Sequence, residues 1–248
     1  MKMHNRCLID VHGHIGTETP FPLFDTSPEG ILSSMDNLGV AWLGISAFLV
    51  LSAECERGNE LCRTVLERFP DRFFGYVTVD PARPRTLLAE LEKGLSSGFR
   101  GIKLHSYDSL AYDHPDYRIL YAAADAKRLP ILLHTELDEL PCLEKIIPDY
   151  PNIRFILAHA GCLAPEYHAK LAKEFSNVYL ETSVSQCCRG LIEYFMEQGL
   201  ADRMLWGTDI PLIAAEHQLG RVLYAAIQDA DKEKILFRNA AELFGLSI

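Results

Sequence analysis

Histidine and aspartate side chains stand where short apolar segments of this sequence end. The first such segment, Cys7–Val11, runs into the motif DVHGH at residues 10–14. Alternate side chains of an extended strand point to the same face, so His12 and His14 project together, roughly 6.6 Å apart along the strand. Two imidazoles in this arrangement can bind one metal ion at about 2.0–2.1 Å each. Asp10 has the same parity, and we predict that it orients a ligand histidine.

The same placement recurs at three later positions. His134, His159 and Asp209 each end an apolar segment of their own. A single histidine at a strand end is more often a structural residue than a ligand, but so many together favour a metal centre. Imidazole nitrogens and a carboxylate suit zinc or another divalent transition metal.

Eight apolar segments supply the elements that must position these residues. They are Cys7–Val11, Val40–Phe48, Phe73–Val79, Phe99–Leu104, Pro130–His134, Ile153–His159, Val178–Thr182 and Arg203–Asp209. Their nearly continuous apolar character is typical of strands buried on both faces of a parallel sheet. Helical periodicity marks segments between them, as in Leu87–Leu95, Pro115–Arg128 and His168–Phe175. Strict alternation of strand and helix predicts an α/β protein.

Two closures of such a sheet are possible, a barrel or a doubly wound open sheet. Doubly wound folds usually carry a glycine-rich turn after the first strand, and here that strand ends in DVHGH instead. The chain has 248 residues, close to the roughly 250 of one (β/α)8 barrel. We therefore predict a single (β/α)8 TIM barrel that forms one domain over residues 1–248. Barrel active sites lie at the carboxyl ends of the strands, where the histidines stand.

Composition excludes several classes of protein. The net charge is −10 and no run of lysine or arginine occurs, which argues against nucleic-acid binding. No apolar stretch approaches the roughly 18 residues of a membrane span. Seven scattered cysteines form no CxxC pair: Cys7, Cys55, Cys62, Cys142, Cys162, Cys187 and Cys188. This pattern indicates reduced thiols. We predict a soluble, cytoplasmic protein without a nucleic-acid or membrane partner.

Taken together, these residues resemble the amidohydrolase superfamily. The segments GIKLH at 101–105 and ILFRNAAELFGL at 235–246 are similar to its branch called amidohydrolase family 2. That branch includes hydrolases, lactonases and aromatic-acid decarboxylases. The resemblance spans residues 8–246 and implies a barrel of the metallo-dependent hydrolase type.

The resemblance also implies roles for individual residues. It makes His12, His14, His134 and Asp209 the metal ligands. It makes His159 either the acid/base residue of a one-metal site or a ligand to a second metal.

The fourth predicted strand leaves the number of metal ions open. Members of the superfamily with two metals place a carboxylated lysine or a glutamate there, and Lys103 matches that position. His105 shares the parity of Lys103. A neutral or ion-paired lysine is the favoured interpretation. The expected cofactor is therefore a divalent ion, zinc by preference, with one or two per chain.

We predict that the protein is a metal-dependent hydrolase acting on an amide, ester or lactone of a small molecule. A bound divalent ion can lower the pKa of its water from 15.7 to about 7. Asp209 would accept the proton of that water and pass it on, while His159 would stabilise the oxyanion or donate a proton.

Two alternatives remain open at this point. The same ligands could serve a metal-dependent decarboxylase of an aromatic or unsaturated acid, or the barrel could bind metal or ligand without catalysis. A homo-oligomer is possible in each case.

Weaker candidates lie in the predicted loops. The segment Gly16–Pro28 either covers the mouth, with Phe21 and Phe24 lining it, or packs as a surface loop. Arg189 either holds a substrate carboxylate or forms a surface salt bridge. Glu181 and Ser183 end the seventh predicted strand without an assigned role. Four residues after the fourth predicted strand are expected either to contact the substrate or to form a solvated turn: Tyr107, Asp108, Tyr112 and Asp113.

Overall fold

Eight parallel strands form one sheet in the order of the chain, β1 to β8. They are β1 Leu8–Ile15, β2 Val40–Ala47, β3 Phe73–Thr78, β4 Phe99–Leu104, β5 Pro130–Leu133, β6 Arg154–Leu157, β7 Val178–Glu181 and β8 Met204–Leu205. The computed structural model describes residues 7–17, 19, 21–49, 54–106, 110–186 and 188–247. A parallel bridge between Gly13 and Ile210 brings the last strand beside the first. The predicted barrel is confirmed.

Helices follow the strands and cover the outside of the barrel. They are α1 Pro28–Leu38, α2 Cys55–Arg68, α3 Pro84–Ser96, α4 Arg118–Lys127, α5 Leu140–Ile146, α6 Pro165–Glu174, α7 Leu191–Glu197, α8 Ala215–Leu223, α9 Asp229–Glu233 and α10 Asn239–Phe244. The predicted helix Pro115–Arg128 begins as a 3₁₀ turn, Pro115–Tyr117, before α4. Proline favours such a start because it has no N–H to leave unpaired.

Two apolar clusters hold the barrel together. The larger lies between the sheet and the helices, with residues such as Leu43, Leu91 and Leu120 fully buried. The smaller fills the barrel interior with residues of several strands, including Val11 and Tyr76. The second cluster also takes in α10, so the C-terminal segment packs against one end of the interior. The opposite end stays available for polar side chains.

The alternation of side chains along β1 is interrupted next to its histidines. Its register against β2 shifts between Asp10 and Gly13. Val11 packs in the interior cluster, and strict alternation would turn the neighbouring His12 away from the interior. The irregularity lets His12 and His14 face the mouth although Val11 faces the interior. The assumption of unbroken alternation from Asp10 to His14 was therefore wrong, although the pairing of the two histidines was right.

Strand β8 is shorter than the sequence pattern indicates. The predicted strand ran to Asp209, whereas the ladder ends at Leu205. Asp209 has a left-handed φ of 61°, which a regular strand does not accommodate. The chain still hydrogen-bonds to β1 beyond this point, because Asp209 N donates to His12 O at 2.8 Å and His14 N donates to Ile210 O at 2.7 Å.

Within the described residues, no helix has both the length and the apolar character needed to cross a bilayer. No disulfide joins the six described cysteines. Cys187 lies outside the described residues.

Candidate metal centre and active site

Three side chains meet at the seam between β1 and the end of β8. His14 Nε2 lies 3.1 Å from Asp209 Oδ1, and His12 Nε2 lies 3.5 Å from the same oxygen. All three residues are buried, and their potential ligand atoms lie within 4.8 Å of one another. We call His12, His14 and Asp209 the ligand trio.

The ligand trio has the properties of a metal site. Asp209 Oδ1 is buried and has no hydrogen-bond partner among the described residues, which is costly for a carboxylate oxygen unless a cation satisfies it. Burial lowers the pKa of both His12 and His14 and so favours neutral imidazoles, the form that binds metal. The residues present therefore fit a divalent cation.

Glu181, at the end of β7, orients the ring of His12. His12 Nδ1 donates to Glu181 Oε2 at 2.9 Å, so Nε2 carries the lone pair that faces Asp209. Ser183 Oγ also donates to Glu181 Oε2, at 2.7 Å. A carboxylate behind a ligand histidine fixes its tautomer and its direction. The sequence placed Glu181 at a strand end, and that position was the available signal for this role.

A second group of close ligand atoms, on His12, His159 and Glu181, is less suited to an ion. The carboxylate oxygens of Glu181 already accept hydrogen bonds from His12 and Ser183, so they are less available to bind an ion. We therefore place the candidate metal at the ligand trio.

His14 is held by two residues of the β2 end. Ser46 Oγ lies 3.1 Å from His14 Nδ1, and the ring of Phe48 stacks on His14 with centroids 5.0 Å apart. These contacts leave His14 Nε2 directed at Asp209. Neither Ser46 nor Phe48 could be predicted from the sequence, because neither residue type signals this role.

Asp10 does not orient a histidine ring, and that prediction was wrong. Its Oδ1 accepts from the backbone N–H of His12 at 3.0 Å and of Thr208 at 3.1 Å, and its Oδ2 accepts from Thr208 Oγ1 at 2.6 Å. Asp10 thus ties β1 to the segment that follows β8. It supports the backbone that carries the ligand trio.

Lys103, on β4, lies under the ligand trio. Its Nζ is 2.9 Å from His12 Nε2, and the side chain is buried. Burial lowers the pKa of Lys103 to about 8, although Asp209 and Glu181 partly oppose that change. The lysine therefore contacts the ligand atom of His12 directly, on the barrel side of the site.

His159, two residues beyond the end of β6, stands beside the ligand trio. Its ring centroid is 5.1 Å from that of His12. Its Nδ1 donates to the carbonyl of Ser183 at 2.9 Å, which leaves Nε2 as the nitrogen available for proton transfer. The residue has a φ of 58°, and strained backbone of this kind clusters at functional sites.

His134 shares this region without joining the compact group. Its ring lies 4.8 Å from that of His159 and stacks on His105 with centroids 4.0 Å apart. Burial lowers the pKa of His134 and lowers that of His105 to about 3. Among the described residues, His134 is not part of either close group of ligand atoms. Its predicted role as fourth ligand stays a prediction.

A cavity of about 490 Å³ opens above these residues. It is lined by Phe21, Pro22, Leu23, His134, Glu136, His159, Cys162, Ser185, Asp209, Leu212 and Ile213. Phe21 lines it, as one of the two interpretations of the Gly16–Pro28 segment predicts, whereas Phe24 is 94% exposed and takes no part in the described lining. The predicted residues His134, His159 and Asp209 thus meet in one cavity.

Other candidates from the sequence lie elsewhere. Arg189 is exposed and does not belong to the described lining. Tyr112 is buried and donates to the carbonyl of His134 at 2.8 Å, and Asp113 pairs with Lys145 at 2.7 Å. Tyr107 and Asp108 lie outside the described residues.

Sequence comparison decides the family. The amidohydrolase family model, Amidohydro_2, matches residues 9–246. This chain belongs to the amidohydrolase family. The match covers all eight strands of the barrel except Leu8, the first residue of β1.

Relatives of this amidohydrolase carry decarboxylase names. The gamma-resorcylate decarboxylase of Polaromonas sp. strain JS666 is 25% identical, over 77% of this chain and 76% of that protein. A solved 2,6-dihydroxybenzoate decarboxylase in complex with 2,6-dihydroxybenzoate has a TM-score of 0.82 at 18% identity, covering 98% of this chain and 99% of that one. A solved dihydroxybenzoic acid decarboxylase from Polaromonas sp. JS666, with bound manganese and the inhibitor 2-nitroresorcinol, has a TM-score of 0.76 at 19% identity, with 97% of each chain covered.

These comparisons correct the predicted reaction. The prediction that the chain hydrolyses an amide, ester or lactone is wrong, because the relatives found by sequence are decarboxylases. The physical reason is that both reactions use the same histidine and aspartate ligands, so these residues cannot tell them apart. The choice of zinc stays a prediction, since the solved neighbour holds manganese.

Proposed function

We propose that this amidohydrolase is a metal-dependent, non-oxidative decarboxylase of a hydroxylated aromatic acid. The observation that carries the proposal is the buried Asp209 Oδ1, which lies 3.1 Å from His14 Nε2 and 3.5 Å from His12 Nε2, with His159 beside it in one cavity. The names of the relatives support the reaction and the class of substrate.

His12, His14 and Asp209 would hold the metal, with His134 as the fourth ligand. A divalent ion bound there would supply a Lewis acid for the carboxylate and a neighbouring hydroxyl oxygen of the substrate. Glu181 would keep His12 Nε2 directed at the ion. No carboxylated Lys103 is needed in such a one-metal site.

His159 would supply the proton. Its Nε2–H would protonate the ring carbon that bears the carboxylate, and the bond from that carbon to the carboxyl carbon would then break. The electron pair of that bond returns to the ring, carbon dioxide leaves, and solvent reprotonates His159. The contact of Nδ1 with the carbonyl of Ser183 keeps the ring oriented for this transfer.

An assay of carbon dioxide release tests the proposal. The protein loaded with manganese or zinc should convert 2,6-dihydroxybenzoate to resorcinol and carbon dioxide, and the metal-stripped protein should not. Metal content must be measured on the same preparations. Absence of carbon dioxide release from a panel of hydroxybenzoates by metal-loaded protein would refute the proposal.

A further inference from the structure

The cavity has an uneven distribution of charge. At its inner end lie His134, His159 and Asp209, which the proposed function assigns to the reaction. Away from them the described lining is mostly apolar, with Phe21, Pro22, Leu23, Leu212 and Ile213 beside Cys162 and Ser185. A planar ring with an apolar edge suits walls of this kind.

Glu136 adds the one remaining carboxylate of the described lining. It follows β5 on the mouth side of His134, with its Oε1 3.8 Å from His134 Nε2 and its side chain 61% exposed. A metal-bound imidazole is neutral, so His134 would not cancel this negative charge. No described lysine or arginine pairs with Glu136.

Positive charge is missing from the same part of the cavity. The described lining contains neither lysine nor arginine. The positions between residues 7 and 247 that lie outside the described ranges also include no lysine or arginine. Lys103 is a nearby cation, but it is buried against His12, beneath the candidate metal. A carboxylate at the mouth would therefore meet Glu136 with no cation from the described lining to balance it.

We propose that Glu136 determines specificity by rejecting acids that carry a second carboxylate on the side of the ring facing the mouth. This inference rests on the proposed function, since it takes the reacting carboxylate to sit at the metal. The reacting group is attracted by the ion, whereas a second anionic group across the ring faces a like charge and apolar walls. Selectivity of this kind arises from an unfavourable contact with the wrong ligand.

Binding of two unreactive ligands to the metal-loaded protein tests the inference. The ligands are 2-nitroresorcinol and 3,5-dihydroxy-4-nitrobenzoate, which is the same ring with a carboxylate opposite the nitro group. Calorimetric titration gives both dissociation constants for the wild type and for Glu136→Gln. The control is Asp138→Asn, which removes one negative charge from an exposed residue outside the described lining.

The wild type should bind the carboxylated ligand more weakly than 2-nitroresorcinol. Glu136→Gln should reduce that preference by roughly fivefold, the effect of about 1 kcal/mol between two unit charges some 4 Å apart in water. Asp138→Asn should leave the preference unchanged. An equal preference in the wild type and in Glu136→Gln would overturn the inference.

Turnover separates this inference from the proposed function. Carbon dioxide release from 2,6-dihydroxybenzoate tests the reaction, and the ratio of the two dissociation constants tests Glu136. Carbon dioxide release with an unchanged ratio refutes the inference alone. A changed ratio without carbon dioxide release from any hydroxybenzoate refutes the proposed reaction and supports the role of Glu136.

Discussion

Glu181 is the residue on which the direction of His12 depends. Glu181→Gln keeps the size of the side chain but removes the charge that accepts the His12 Nδ1 proton. We expect metal affinity to fall by roughly 10- to 100-fold, the usual effect of losing such a supporting carboxylate. Competition with a fluorescent chelator measures this affinity. Glu197→Gln, at an exposed position on α7, should bind metal like the wild type. Equal affinities in all three proteins would contradict the role of Glu181.

His159 should act in chemistry and not in holding the metal. His159→Asn keeps a hydrogen-bonding group near the carbonyl of Ser183 but cannot donate a titrating proton. Turnover should fall by roughly 10²–10⁴-fold, the range for a positioned acid or base, with bound metal unchanged. Elemental analysis and carbon dioxide release are needed on the same preparation. Loss of metal in proportion to activity would make His159 a ligand.

Single residues could be predicted from the sequence only where their type announces their chemistry. His12, His14, His134, His159 and Asp209 stood out because histidine and aspartate end apolar segments. The contact that directs each ring could not be read in the same way. Glu181, Ser46 and Ser183 are distant from the histidines along the chain, and only the closed barrel brings them together.

At the level of elements, the end of β8 must pass very close to the ligand trio. Gly207 follows β8, and an added Cβ there would overlap the carboxylate of Glu181 and lie 2.9 Å from the Cβ of His12. Only a residue without a side chain fits between these groups.

Gly207→Ala should therefore damage the site and the fold together. We expect the free energy of unfolding to fall by about 1–3 kcal/mol, as in overpacked cores, and metal affinity to fall because Glu181 must shift. Urea unfolding and chelator competition measure the two effects. Gly220→Ala is the control, since nothing lies within 4 Å of its added Cβ and alanine favours a helix by about 0.5–1 kcal/mol. Similar losses in both variants would rule out the proposed clash.

The elements themselves were predictable to within a few residues. Parallel strands buried on both faces leave continuous apolar runs, and all eight were found. Their ends were less certain, because Asp209 leaves the strand conformation and β1 changes phase at Asp10. Both irregularities sit at the candidate site, where geometry for function overrides regular alternation.

For the whole molecule, buried histidines make stability depend on pH. Burial lowers the pKa of five described histidines, namely His12, His14, His105, His134 and His168. The unfolded chain takes up protons near pH 6.5, about the ordinary pKa of histidine, while the folded chain does not. The contribution of these histidines to stability should therefore be fully present above about pH 6.5 and decrease as the pH falls below it. For His105 the loss continues to about pH 3.

Urea unfolding of chelator-treated protein measures this dependence. Each such histidine adds at most about 1.4 kcal/mol per pH unit to the slope. His168→Gln should lower the slope without touching the candidate site, because His168 contacts Ala164 and Thr135. A free energy of unfolding that stays constant between about pH 7.5 and about pH 5.5 would contradict the expectation.

The barrel could be predicted from the number of strand and helix units in the sequence. The reaction could not be predicted in this way. We propose, as the sequence indicates, that residues 1–248 form one domain. The choice between hydrolysis and decarboxylation depends on what the cavity holds next to the metal, and that cavity is built from loops such as Phe21–Leu23 and Glu136. Loop positions follow from the folded barrel and not from local patterns.

The seam between β1 and the end of β8 has a consequence for the lifetime of the fold. His12 and His14 lie on the first strand, and Asp209 follows the last. An ion bound to all three would cross-link the first strand to the segment after the last strand and enclose residues 14–209 in one loop. Opening the barrel at this seam would then require release of the ion, so a bound metal would slow the loss of the entire structure.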